Sequence, residues 1–299
     1  MPLVAHITDL HLLSLKGVNP LELLNKRLTG AANLLFNRGG QFPLEVAHAL
    51  VQDIRSQEPD HVVVSGDVSN LSLDPEFALV SEVLDGLGMP PSRVTVVPGN
   101  HDCYTRSAAR KEAFSAALGR YLRGDIQPGP GHFPQLKLDV DGLAVLALSS
   151  ARVSAPILAV GTLGSRQLRQ AEELLLHPAC ADRFRLVVLH HPPGGPHVTW
   201  GKRLTDAGAL KQMLRRVGAE LVVHGHLHRF IRNSLPGPLG EIPVQGCASS
   251  TWLSPSDTER RAQYLLYEVE GRDLVGLRRR RFDPAEGAFL PAPVPELAA

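Results

Sequence analysis

At 299 residues, with 43% hydrophobic and 20% charged side chains, the chain is large enough to bury one sizeable α/β core. A formal net charge of +1 excludes the strongly basic balance of a protein that coats nucleic acid. No apolar run approaches the roughly 20 residues that a bilayer-spanning helix requires.

Leu3–Thr8 reads as a short buried strand ending in Asp9-Leu10-His11. Residues 16–43 are atypical. Asn19-Pro20 has the form of a cap with proline at the first helical position, and Leu21, Leu24, Leu28, Ala31 and Leu35 follow at helical spacing beside Lys26, Arg27 and Arg38. The plain expectation is a helix packed on the domain; the sharper ones are a lid over a site or a helix touching lipid headgroups. Leu44–Gln57 is a helix with Val46, Leu50 and Ile54 on one face, and Val62–Ser65 is the next strand. Asp74-Pro75 is expected to cap a helix running to about Leu87, and strand Val94–Val97 closes a second strand–helix–strand unit. Such alternation implies right-handed crossovers and a parallel sheet.

Beyond these units, Thr105–Tyr121 is expected to be helical and Gln127–Gly131 a loop. Leu136–Val140 and Leu143–Leu148, joined at Asp141-Gly142, have hairpin form. Ser165–His177 and Thr205–Val217 are helices by periodicity, and strands Leu186–Leu189 and Glu220–Val223 follow them. Ile242–Gln245, Gln263–Val269 and Leu274–Phe282 read as antiparallel strands. The Pro/Ala-rich tail, 283–299, is expected to be loosely ordered, which leaves 1–282 as one domain.

Five of these strands end in polar side chains: Asp9 and His11; Asp67; Asn100, His101 and Asp102; His190; and His226 with His228. Ligand sites in open α/β sheets form beyond the C-termini of the strands, so these groups are expected to meet at one edge. Two carboxylates, an amide and four imidazoles, with no thiolate, suit Mn, Fe, Zn, Co or Ni better than Ca. They are too many for a single ion. Two ions roughly 3.5–4 Å apart, sharing a bridging carboxylate, would use them all.

Taken in order, Asp9-Leu10-His11, Gly66-Asp67, Gly99-Asn100-His101-Asp102, His190 and Gly225-His226-Leu227-His228 resemble the motifs of the calcineurin-like metallophosphoesterases. His190-His191-Pro192-Pro193 and Gly-His-Leu-His are most similar to those of class III cyclic-nucleotide phosphodiesterases and related glycerophosphodiesterases. The resemblance implies a four-layer αββα sandwich with two mixed sheets. It puts Asp9, His11 and His228 on one metal, Asn100, His190 and His226 on the other, and Asp67 between them. It also implies attack on phosphorus by a metal-bound hydroxide. His101 would then protonate the leaving oxygen or stabilise the equatorial oxygens, while Asp102 orients its ring. His190 rather than His191 is chosen as the ligand because it directly follows the strand, leaving His191 either to support the ligands or to face substrate.

The bland reading is applied elsewhere. His6, His48, His61, His132, His177 and His197 are taken as structural, as is His224 at its strand end. Asn70 is either a neighbour of the ligands or a backbone cap, and Cys103 a small buried residue. Arg278–Arg281 is expected to divide over two faces of a solvated edge strand. Trp200 and Trp252 either stack a substrate ring or pack ordinarily.

The expected activity is therefore dinuclear hydrolysis of a small-molecule phosphodiester, a cyclic nucleotide or a glycerophosphodiester. The alternatives are a UDP-diacylglucosamine-type pyrophosphate hydrolase at a membrane surface, with residues 16–43 as its lid, a nuclease, or a non-catalytic interaction module. Relatives of the UDP-sugar kind often carry Arg where His101 stands, and the neutral charge counts against a nuclease. Nucleic acid is not an expected partner. The start at Met1-Pro2-Leu3-Val4 has no basic leader, and the three cysteines are odd in number and far apart. Both point to a reducing cytoplasm.

Overall fold

The side chains of the central strands alternate between two separate cores, and that alternation sets the layering. In the first sheet Ala5, Ile7, Val62, Val64, Val94 and Val96 face a helix-side core, whereas Val4 and Val63 face inward. In the second, Ala144, Leu146, Val187 and Val222 face the opposite helices, whereas Val145, Leu186, Val188 and Val223 meet the first sheet. Such strands are apolar on both faces, which is why they read as continuous Val/Leu runs rather than as alternating patterns. The result is helix, sheet, sheet, helix.

The computed structural model describes residues 1–19, 42–103, 112–138, 142–154, 158–195, 197–254 and 256–295. Most of the expected helical insertion at 16–43 and the first part of the helix expected at Thr105–Tyr121 lie outside them. The first sheet has strands β1 (Leu3–Ile7), β2 (His61–Val64), β3 (Val94–Val96), β10 (Gln263–Glu270), β11 (Asp273–Asp283) and β12 (Ala288–Ala292), in the order β12-β11-β10-β1-β2-β3. The second has β4 (Gln135–Lys137), β5 (Leu143–Ala147), β6 (Phe184–Val188), β7 (Leu221–His224), β8 (Ile231–Pro236) and β9 (Glu241–Gly246), in the order β4-β5-β6-β7-β9-β8. The β1-β2-β3 and β5-β6-β7 pairings are parallel, so both sheets present strand C-termini along one edge. Helices α1 (Leu44–Ser56), α2 (Asp74–Asp85) and α3 (Ala113–Leu118) cover the first sheet, and α4 (Ser165–Leu175) and α5 (Ala207–Val217) the second.

Four expectations are corrected. Asp74 does not cap α2 from outside: the helix begins there, and the Glu76 carboxylate instead accepts from the N–H groups of Leu71 at 2.8 Å and Leu73 at 3.1 Å. Strand β8 went unread because Arg232, Asn233 and Ser234 interrupt its apolar pattern, as befits a sheet edge. The segment after Asp283 is not loose, since Ala288–Ala292 pairs with β11 and buries Phe289 against Phe282 and Tyr264. Pro291 fits there because β12 is the outermost strand. It follows that β11 is not the edge. Its arginines do divide over two faces, but Arg279 is only 1% exposed, paired with Glu259 at 2.8 Å. Arg280 pairs with Asp53 on α1.

Phe289→Ala is expected to destabilise the protein by about 3 kcal/mol, the usual cost of emptying a buried Phe site. The shift in urea midpoint measures it. A change below about 0.5 kcal/mol would mean that the C-terminal strand contributes nothing.

Candidate metal centre

The strand ends bring the candidate ligands together because the backbone turns sharply just beyond the sheet. Asp9, His11, Asp67, His226 and His228 all have left-handed backbone, with φ between 45° and 72°. They are five of the nine non-glycine residues with positive φ among the described residues, and such conformations cost of order 1–3 kcal/mol each. Leu10 and Leu227, the middle residues of Asp-Leu-His and His-Leu-His, are buried and anchor each turn in the core.

Two glycines are fixed by close approach. A Cβ on Gly99 would lie 2.2 Å from Asp67 Oδ1, and one on Gly225 would lie 2.0 Å from Thr8 Oγ1 and 2.5 Å from Asp9 Oδ2.

Each carboxylate divides its oxygens between the protein and the site. Asp9 Oδ2 accepts from Thr8 Oγ1 at 2.8 Å and from the His226 N–H at 3.0 Å. Its Oδ1 is turned to His228 Nε2 at 3.2 Å and His11 Nε2 at 3.8 Å. Asp67 Oδ1 accepts from the His101 N–H at 2.7 Å, and Oδ2 lies 3.3 Å from His190 Nε2 and 3.9 Å from His11 Nε2.

The imidazoles are fixed in the same way. His190 Nδ1 donates to the Ser65 carbonyl at 2.8 Å, leaving the Nε2 lone pair inward. His226 Nε2 donates to the Lys202 carbonyl at 3.1 Å, which leaves Nδ1 as its ligand atom. Asp9, His11 and His228 form one cluster and Asp67, His190 and His226 a second, each with ligand atoms within 4.8 Å of one another.

The centre fits metal ions on its own chemistry. Asp9 Oδ1, Asn100 Oδ1 and His190 Nε2 are buried without a hydrogen-bond partner, and His11 Nε2 lies 3.1 Å from His228 Nε2. Buried polar atoms left unpaired are costly, and cations held between them would satisfy all of them. Burial opposes a charge on His190, but Asp67 and then Asp9 outweigh it and raise its pKa to about 9. Burial likewise raises Asp67, yet His190 and His101 hold its carboxyl well below the usual range. For His11 and His226 burial dominates and keeps the rings neutral, as a metal ligand must be.

The other expected site residues fall in two groups. His101 stands beside His11, ring centroids 4.6 Å apart, with its Nδ1 on the Asn70 carbonyl at 2.7 Å. Asp102 does not orient that ring. Its carboxylate accepts from the N–H groups of Val68, Ser69 and Gly99 and from Ser69 Oγ, at 2.8–3.3 Å, and so ties the loop after Asp67 to the loop before Asn100. His191 is fully buried, Nδ1 on Ser150 Oγ at 2.8 Å and ring 4.4 Å from His226, so it braces that ligand instead of facing substrate. His224 is buried with Nδ1 on the Gly225 carbonyl, and Asn70 donates weakly to the His11 carbonyl at 3.4 Å. Burial pushes the Cys103 thiol up to about 12, which leaves it unreactive.

Sequence reading missed Ser249-Ser250-Thr251. Ser249 Oγ donates to the Asp9 carbonyl, Thr251 Oγ1 to the Leu10 carbonyl, and Ser250 Oγ accepts from the Thr8 N–H. The available signal was three consecutive hydroxyls just beyond a strand and the small residues Cys247 and Ala248.

Two mixed sheets between helices, with imidazoles and carboxylates gathered at their shared edge, define an α/β protein with a candidate metal-binding edge. More narrowly, residues 2–230 match the calcineurin-like phosphoesterases, and the chain belongs to that family. It is 28% identical over 197 residues to a probable cyclic nucleotide phosphodiesterase of Rhodopseudomonas palustris, covering 64% of this chain and 66% of the relative. A second such protein, from Synechococcus sp., is 26% identical over 211 residues, covering 68% of this chain and 71% of its own length. The glycerophosphodiester phosphodiesterase GpdQ of Enterobacter lignolyticus is 28% identical over 194 residues, with 64% and 57% covered. The matches thus span roughly two thirds or less of the first and third relatives. In fold the chain is similar to a dimetal phosphatase from Danio rerio, with TM-score 0.57, 15% identity, and 93% of this chain and 98% of that one covered. It is also similar to a purple acid phosphatase from yellow lupin, with TM-score 0.59, 12% identity, and 100% and 57% covered.

Gly225→Ala is expected to displace Asp9 and lower bound metal after reconstitution with Mn, read by elemental analysis, while far-UV circular dichroism is retained. Full metal content in this variant would show that Asp9 is not a ligand.

Proposed function

We propose that the protein hydrolyses a small-molecule phosphodiester at a dinuclear centre, with cyclic nucleotides and glycerophosphodiesters as its substrate classes. The carrying observation is the position of Asp67 Oδ2, which lies within 4 Å of both His190 Nε2 and His11 Nε2 and so joins the two clusters. Asp9, His11 and His228 would hold one ion, Asn100, His190 and His226 the other, and Asp67 both. When bound, such cations supply a nucleophile from water at neutral pH and neutralise charge on the phosphoryl oxygens. The imidazole–carboxylate set, without thiolate, favours Mn, Fe, Zn or Co. The substrate classes are supported by the names of the sequence relatives, two cyclic nucleotide phosphodiesterases and one glycerophosphodiesterase.

The chain's own residues supply orientation and a proton. Because His101 Nδ1 carries the hydrogen donated to the Asn70 carbonyl, Nε2 is the atom that exchanges a proton with the departing alkoxide. Asp67 Oδ1 fixes the backbone of the same residue. Asp102 holds both loops in register from below. A reducing, cytoplasmic setting is supported by three free cysteines, two of them buried.

Freshly Mn-loaded protein is expected to hydrolyse bis(p-nitrophenyl) phosphate, and Asn100→Ala to lose that turnover. Absence of turnover in both proteins would sink the hydrolase reading. In His101→Gln, kcat should fall about 10²–10⁴-fold on glycerophosphodiesters, whose alkoxide needs a proton, and much less on the p-nitrophenyl ester, whose leaving group does not. An equal loss on both esters would remove His101 from the role of acid.

A further inference from the structure

Both tryptophans of the chain stand near the Gly-His-Leu-His ligands, each beneath an arginine, but they differ in how far they are committed to the fold. Trp252 is half-buried, its ring 5.8 Å from that of His228. Arg260 lies over it at 4.5 Å and donates to the His228 carbonyl at 3.3 Å, so this pair braces a metal ligand.

Trp200 is 69% exposed and is the one aromatic among the large exposed hydrophobic side chains of the described residues. It opens the short 3₁₀ turn Trp200–Lys202, and the Lys202 carbonyl is the group that accepts from His226 Nε2 at 3.1 Å. Two residues of chain span at most about 7 Å, so the Trp200 backbone lies within that reach of the residue whose carbonyl holds His226.

That turn is held rigidly. The Ala159 N–H donates to the Gly201 carbonyl at 2.8 Å and the Gly161 N–H to the Arg203 carbonyl at 3.1 Å. The Arg203 guanidinium sits 4.6 Å over the indole and donates to the Trp200 carbonyl at 2.6 Å. An indole kept in water, backed by a cation and fixed on a pinned turn has little freedom to lose when a planar ring stacks on it. Lys202, exposed in the same turn, adds a second cation that draws an anionic ligand to this side.

We infer that Trp200, backed by Arg203, is the stacking platform for a nucleobase, so that the substrate of this centre is a nucleotide phosphodiester and not a glycerol ester. The inference rests on the phosphodiesterase reading above. Every base offers a π-face to such a platform, and a glycerol moiety offers none.

Two measurements on the Mn-loaded protein test it. The first is tryptophan fluorescence, which needs no turnover: adenosine 5′-monophosphate should quench the wild type, glycerol 3-phosphate should not, and Trp200→Phe should remove the quenching. The second is the ratio of kcat/KM for a cyclic nucleotide to that for a glycerophosphodiester. It should fall about tenfold in Trp200→Ala, through KM, and recover in Trp200→Phe. Quenching that survives in Trp200→Phe, quenching by anionic phospholipid vesicles but not by the nucleotide, or an unchanged ratio would overturn the inference. Quenching at Trp200 without turnover of any phosphodiester would instead reject the hydrolase reading and leave the platform standing.

Discussion

Everything at the active edge depends on two hydrogen bonds that cross from one sheet to the other. His190, beyond a strand of the second sheet, donates to the Ser65 carbonyl beyond a strand of the first, and the His226 N–H donates to Asp9 Oδ2. The apolar core between the sheets brings the layers together but is indifferent to small sliding. These polar links are directional and buried, so a shift of even 1 Å leaves charged groups unpaired. They fix the register of the sheets, and with it the distance between the two ligand clusters. The carboxylates can serve in this way because each uses one oxygen for the protein and keeps the other for the site.

That precision has a structural cost, and the sequence shows where it is met. Five ligand residues adopt left-handed backbone, and the types found there are the Asp and His that tolerate it best. Leu10 and Leu227 hold two of the turns from the core side, and the hydroxyls of Ser249, Ser250 and Thr251 hold Asp9 from above. Gly99 and Gly225 admit the carboxylates where any Cβ would collide with them. Strain at the ligands and buried support around them are two sides of one arrangement.

The layered fold was legible because β-branched runs such as Val62–Val64 and Val94–Val96 are buried on both faces and bounded by polar punctuation. Elements without that signal were lost: Arg232, Asn233 and Ser234 interrupt the apolar pattern of β8, and β12 lies in a stretch whose proline and alanine content suggests disorder, although Phe289 anchors it. At the centre, spacing along the chain was enough to gather the ligands, but not to say what their neighbours touch. The resemblance implied that Asp102 orients the ring of His101. Yet neighbouring side chains diverge, and its carboxylate turned instead to the backbone N–H groups of Val68, Ser69 and Gly99. For His191, support of a ligand and contact with substrate were both open, because nothing in His-His-Pro-Pro says which ring lies in the core.

The balance of charge explains why such a centre is buried at all. Asp9 and Asp67 would repel one another in a site of low dielectric, and burial alone would push both carboxyls toward protonation. The surrounding imidazoles reverse this, and His190 holds its proton up to about 9 as a result. The imidazoles thus supply only part of the positive charge that the carboxylates call for. A divalent ion supplies that charge more completely and also satisfies Asn100 Oδ1, which no proton on a neighbouring ring does. The ligand edge is thus specified by electrostatic need.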